Sequence, residues 1–230
     1  MQTPSIRTAP GRVIAVLGAE STGKTTLART LRDTLAADGC TAALVDEYLR
    51  EFCVRHGRTP RADEQLAIAG EQRRRIERAT ADHSFVIADT AALQIAVYSE
   101  FVFGDTSLYA ETLAAHGAVA LTLLTALDLP WQPDGHQRDG EHVRAPVDQL
   151  LRNALGRGRI AYSVIHGTGP ARLAAALASV RSALAPGSAP QEKAQPRWHG
   201  YCDRCGDSAC ERHLLAADRS PRTPPGGMLS

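Results

Sequence analysis

With 230 residues, the chain has the length for one sizeable α/β domain and a small appendage. Hydrophobic residues at 43%, charged residues at 22% and a formal net charge of +1 describe an ordinary globular protein, with no global drive toward nucleic acid or anionic lipid. No charge-free apolar stretch approaches the ~18 residues of a membrane span, and the polar start MQTPSIRTAPGR does not read as a signal peptide, so a cytoplasmic protein without membrane contact is expected.

The first apolar run, Val13 to Leu17, reads as a fully buried parallel strand. It leads directly into GAESTGKTTL, Gly18 to Leu27, and then into a helix over Lys24 to Ala37 in which Leu27 and Leu31 lie one turn apart. A strand, a glycine-rich turn and a helix N-terminus converge backbone N–H groups and a favourable dipole on an anion. The spacing fits G-x-x-x-x-G-K-[ST], carried by Gly18, Gly23, Lys24 and Thr25. Gly18, Ala19, Glu20, Ser21, Thr22, Gly23, Lys24, Thr25 and Thr26 are therefore the expected nucleoside triphosphate cradle. Lys24 would reach the β- and γ-phosphates, and Thr25 would ligate Mg²⁺.

A second strand over 41–45 ends in Asp46-Glu47-Tyr48, which places carboxylates at a strand exit where an acceptor hydroxyl could lie. Either carboxylate could take the hydroxyl proton, and both could equally be solvated. Arg50, Arg55 and Arg58 follow closely and suit pairing with these acids or with phosphate. A helix over 61–81 is expected to bury Leu66, Ile68, Ala69 and Ile76, with Arg73, Arg74 and Arg75 partly outside. A third strand, SFVIAD, ends in Asp89. That residue is placed either as the carboxylate of the Mg²⁺ shell or as a cap of the helix expected over 91–101.

A fourth strand is read in AVALTLLTAL, 118–127, a fifth within 158–165, and a closing helix over 169–184. Between the fourth strand and a following helix lies DLPWQPDGHQRDGEHVR, which suits either a lid closing over phosphates or a solvated loop with Trp131 packed beneath it. Arg138 is the candidate cation for the transition state, with Arg144 second. Strands alternating with helices predict an α/β, three-layer P-loop NTPase sandwich with a mostly parallel sheet and helices on both faces.

The chain then changes character. Residues 1–11 read as a flexible N-terminus, 12–184 as the P-loop kinase or ATPase domain, 185–199 as a linker, 200–215 as a zinc knuckle and 216–230 as a disordered tail. Cys202, Cys205, Cys210 and His213 have C-x₂-C-x₄-C-x₂-H spacing, which suits a structural tetrahedral Zn²⁺. A coincidental tail or a redox pair at Cys202 and Cys205 are the other readings. Four protein ligands leave no open position, so this segment would be structural or would bind a protein partner. Its acids Asp203, Asp207 and Glu211 argue against nucleic acid. Cys40 and Cys53 read as buried thiols.

GAESTGKTTL, VDEYLRE, FVIADT and DLPWQPDGHQRDG, in that order, resemble the ribosylnicotinamide kinase domain of NadR-type proteins, within the NadR-like AAA-type P-loop ATPases. The resemblance covers about 12–184. It implies ATP- and Mg²⁺-dependent phosphorylation of the 5′-hydroxyl of a nucleoside such as nicotinamide riboside. It further implies an acceptor-side motif at Glu47, Tyr48 and Arg50, and a lid at Trp131, Asp134, Gly135 and Arg138. Two departures stand out: Asp134 to Arg138 holds one residue more than the family's D-G-x-R, and Asp89-Thr90-Ala91 lacks a second acid. No adenylyltransferase or DNA-binding segment precedes the P-loop, so a stand-alone kinase unit is expected. A different class, a nucleotide-dependent switch whose tail recruits a partner, is the alternative.

Overall fold

A computed structural model describes residues 10–132 and 140–184. The elements run β1 (Arg12–Leu17), α1 (Lys24–Ala37), β2 (Ala42–Val45), α2 (Tyr48–His56), a 3₁₀ turn (Ala62–Glu64) and α3 (Gln65–Ala79). They continue with β3 (Phe85–Asp89), α4 (Ala92–Phe103), α5 (Tyr109–His116), β4 (Leu121–Thr125), a 3₁₀ turn (Glu141–Val143), α6 (Arg144–Arg157), β5 (Tyr162–Ile165) and α7 (Gly169–Leu184).

The five strands form one parallel sheet in the order β2-β3-β1-β4-β5. β1 is central, which explains its unbroken apolar run: both of its faces are covered. Successive side chains alternate between the faces. Ile14 and Val16 pack with Ile87 and Leu123 against Leu27 and Leu31 of α1 and Ala176 and Val180 of α7. Ala15 and Leu17 pack on the opposite side with Ala88 and Leu124, against Leu93 and Val97 of α4 and Leu151 and Leu155 of α6. The result is the expected three-layer α/β sandwich. Among the described residues, no helix is long and apolar enough to cross a membrane.

The register sets the site. Val16 of β1 lies beside Asp89 of β3, and Leu17 beside Leu124 of β4. The carboxyl ends of these strands therefore bring Gly18, Asp89 and Thr125 to one edge.

Two expectations are corrected: Cys40, read as a buried thiol, is only partly buried, and Leu66 lies outside the core. Leu66 is 53% exposed, because the buried stripe of α3 runs through Gln65, Ile68, Ala69, Gln72 and Ile76. A residue one position off such a stripe is turned away by about 100°. The stripe admits two glutamines, and a reading based on apolar spacing passes over both. The helices α2 and α5 also went unread. α2 buries only Phe52 and Cys53, and α5 buries Tyr109, Thr112 and His116, so neither shows a clean apolar period.

Candidate functional site

The cradle begins where β1 ends. Gly18 has φ +153°, and a Cβ there would lie 1.9 Å from Thr125 Oγ1. The space is taken by a buried hydroxyl relay: Thr125 Oγ1 donates to the Leu17 carbonyl at 3.1 Å and stands 2.7 Å from Thr22 Oγ1, itself 2.8 Å from the Ala19 carbonyl. The Gly18 N–H donates to Gln94 Oε1 of α4 at 3.2 Å. Gly23 has φ +75° and caps α1, where a Cβ would meet Leu129 Cδ1 at 2.9 Å. Only glycine fits both places.

Behind the loop, the buried Arg172 of α7 reaches the Thr22 carbonyl with Nη2 at 2.7 Å. Its Nη1 donates to Asp128 Oδ1 at 2.9 Å and to the Gly167 carbonyl at 2.8 Å. Partial burial pushes the Asp128 carboxyl up, but the Gly167 N–H and the Arg172 guanidinium outweigh it and hold it below its ordinary value.

Lys24 Nζ donates to the Ala19 carbonyl at 2.8 Å, so the ammonium lies folded over its own loop. Thr25 Oγ1 donates to Asp89 Oδ2 at 2.5 Å. Asp89 is 2% exposed, and its second oxygen, Oδ1, is buried without a hydrogen-bond partner. Burial pushes this carboxyl above its ordinary value, against the Thr25 hydroxyl and the Lys24 ammonium. A hydroxyl and a buried, incompletely satisfied carboxylate are hard oxygen donors that fit Mg²⁺. Thr90, which follows, is a β-branched residue at φ +73°, a conformation costing about 1–3 kcal/mol.

Opposite the cradle, Glu47 is the N-cap residue of α2. Its side chain is 15% exposed and lies 3.7 Å from Arg50 Nε, whereas Asp46 is 68% exposed and 3.7 Å from Arg29 Nη2. Both acids share an open cleft of about 990 Å³ with Lys24, Thr25, Arg50 and Asp89. The other expected cations do not meet there. Arg58 grips Glu64 through two 2.7 Å hydrogen bonds ahead of α3, and Arg55 pairs with Glu51 on the surface of α2. Tyr48 packs toward Phe52 and Ile68, with the Arg75 guanidinium 4.3 Å from its ring centre. Arg75 is in turn held by Glu51 at 2.5 Å and Glu71 at 2.9 Å.

The segment after β4 is tied to the cradle. Ser21 Oγ accepts from the Gln132 N–H at 2.8 Å and donates to the Gln132 carbonyl at 3.1 Å. Leu129 and Pro130 line the cleft, and Trp131 is half-buried beside them. The Arg144 side chain is buried and donates to the Leu129 carbonyl at 2.8 Å, so it braces this segment. Asp134, Gly135 and Arg138 lie outside the described residues, as do Cys202, Cys205, Cys210 and His213. Sequence reasoning missed Thr125, Gln94, Gln72 and Arg172. Each is a polar residue on an otherwise apolar face, a signal that becomes readable only once the face is known.

Residues 13–172 match the family AAA_28, described as an AAA domain. No curated protein matches the chain in sequence. Solved structures that share the fold include two of NadR proteins. One, described as NadR protein in complex with NAD and AMP-PNP, is 20% identical with a TM-score of 0.60, over 75% of this chain and 49% of that one. Another, described as NadR protein in complex with NR, is 21% identical with a TM-score of 0.63, over 75% and 51%. The chain spans about half the length of these two proteins.

Proposed function

The chain belongs to the AAA_28 family of AAA domains, and from that premise we propose that it is an ATP-dependent nucleoside kinase acting on a nicotinamide riboside-like acceptor. The observation that carries the reading is the shared cleft, with a phosphate cradle on one wall and the carboxylates Asp46 and Glu47 on the other. A pure ATPase needs only to place water there. Paired acids and Arg50 on a separate helix suit a larger hydroxyl-bearing acceptor. The AMP-PNP and NR bound in the two solved structures support the same choice.

The backbone N–H groups of 18–25 would cradle the phosphates, and Lys24 would swing from the Ala19 carbonyl to the β- and γ-phosphates. Thr25 and Asp89 would hold Mg²⁺, which neutralises phosphate charge when bound. Glu47 would take the proton of the acceptor hydroxyl, as its oxygen bonds to the γ-phosphorus and the bond to the β–γ bridging oxygen breaks, releasing ADP. Its sheltered position at the start of α2 keeps it oriented, whereas Asp46 is solvated. Arg50 would help to hold the acceptor, and Trp131 and Arg138 would serve the lid.

The test is ADP release from MgATP across a panel of nucleosides including nicotinamide riboside, with Lys24→Ala as control. Acceptor-stimulated release that vanishes in the control supports the reading. Hydrolysis that no nucleoside stimulates would reject it in favour of an ATPase or nucleotide-dependent switch.

A further inference from the structure

Gln72 lies on the buried stripe of α3 between Ala69 and Ile76, fully shielded from solvent. Its amide meets three main-chain groups from two different loops. Oε1 accepts from the Tyr48 N–H at 2.7 Å, and Nε2 stands 3.4 Å from both the Asp46 and the Thr90 carbonyls. An amide side chain offers an acceptor oxygen and two N–H donors, and that is the set these partners require. The partners also settle its orientation, since a flipped amide would put NH₂ against an N–H and oxygen against two carbonyls.

The three partners are the backbone on either side of Glu47 and the residue directly after Asp89. Tyr48 is the first residue of α2, where a backbone N–H has no partner within its own helix. Thr90 holds the unfavourable left-handed conformation, which persists only where its surroundings hold it, and the Gln72 amide is one of those contacts. One side chain thus ties the exit of β2 to the exit of β3, across the two walls of the cleft.

We propose that Gln72 is a positioning residue that sets the acceptor-side carboxylate at Glu47 at a fixed distance and angle from the cradle-side carboxylate of Asp89. The proposal rests on the kinase reading. Gln72 touches neither nucleotide nor acceptor in this role and acts through the Asp46–Tyr48 and Thr90 backbone. Shape-conserving loss of the amide therefore leaves the phosphate cradle intact and misaligns the hydroxyl with the γ-phosphate, a misplacement that costs turnover more than binding.

The test compares the full-length chain with Gln72→Met and Gln72→Glu. The readouts are MgATP binding by calorimetry, kcat and KM with nicotinamide riboside, and amide hydrogen exchange at Tyr48. For Gln72→Met, MgATP affinity within about twofold of the parent and a kcat lower by about tenfold or more are expected. Gln72→Glu keeps the acceptor for Tyr48 but sets an oxygen against the Asp46 and Thr90 carbonyls, so its kcat should fall at least as far as in Gln72→Met, and whichever variant folds serves the test. An unchanged kcat overturns the proposal. Parallel loss of MgATP binding and turnover also overturns it, because that marks a role in folding alone. If the parent phosphorylates no nucleoside, the kinase reading fails separately, and Tyr48 exchange then decides the clip. Protection in the parent that is lost by about tenfold in Gln72→Met upholds it, and an unprotected Tyr48 amide in the parent overturns it.

Discussion

The carbonyl of Thr22, in the middle of the phosphate cradle, accepts a 2.7 Å hydrogen bond from Arg172, 150 positions further along the chain. The same guanidinium binds Asp128, just beyond the end of β4, and the Gly167 carbonyl after β5. A loop whose N–H groups must point inward at an anion is thereby held by a carbonyl pointing outward. Arg172→Leu leaves the Thr22 carbonyl and Asp128 without their buried partner. It should cost about 2–4 kcal/mol in a denaturant titration and weaken MgATP binding by about tenfold. Unchanged affinity in a folded variant would show that the loop holds its shape without this brace.

Gly18 tests the cradle from its other side. Gly18→Ala drives a methyl into the Thr125 hydroxyl and breaks the Thr22–Thr125 relay. A stability loss of about 1–3 kcal/mol is expected, with MgATP binding reduced in proportion. A thermal melt and calorimetry at one nucleotide concentration measure both.

The two acids of the acceptor wall should separate on mutation. Glu47→Gln should lower kcat by about a hundredfold with little change in MgATP binding, and Asp46→Asn by about tenfold or less. Steady-state kinetics with nicotinamide riboside distinguishes them, and the reverse order would assign the proton to Asp46.

The proposed metal role is tested at Asp89. Asp89→Asn keeps an oxygen for the Thr25 hydroxyl but removes the carboxylate charge, so Mg²⁺-dependent tightening of ATP binding should fall by about tenfold or more. Comparing ATP affinity with and without Mg²⁺ isolates that effect from binding of the nucleotide alone. Equal Mg²⁺ dependence in the variant would place the metal elsewhere.

His116, remote from the cleft, sets an acid limit on stability. Burial pulls its pKa from 6.5 down to about 4, while the ring bonds Thr122 Oγ1 at 2.9 Å. The folded state holds the neutral ring, and the unfolded chain takes up a proton below about 6.5. Stability should therefore fall as pH drops from about 6.5 to about 4 and level off below, by up to about 3 kcal/mol. His116→Gln should flatten that limb in melts recorded across the range.

The legibility of the site follows from where its parts lie in the chain. Gly18 to Thr25 are contiguous, and the proposed cradle depends on that contiguity, so its spacing is legible in the sequence. Asp89 is equally legible, because an apolar run that ends in an acid places the acid at a strand's carboxyl edge. Arg58 shows the limit: three arginines near two acids read as one group, yet Glu64 withdraws Arg58 into a turn. Leu66 shows another, since the phase of α3 follows from what its neighbours bury rather than from its own apolar residues.

By itself, the sequence determined the strand–cradle–helix unit, the alternation that makes a parallel three-layer sandwich, and the acids at its strand ends. These are local matters of periodicity and backbone freedom. Only the tertiary structure decided that Thr125, Gln94, Gln72 and Arg172 are tied to the loops around the cleft. Their partners are main-chain and hydroxyl groups far away in sequence, and a buried polar side chain is satisfied by geometry that no spacing encodes.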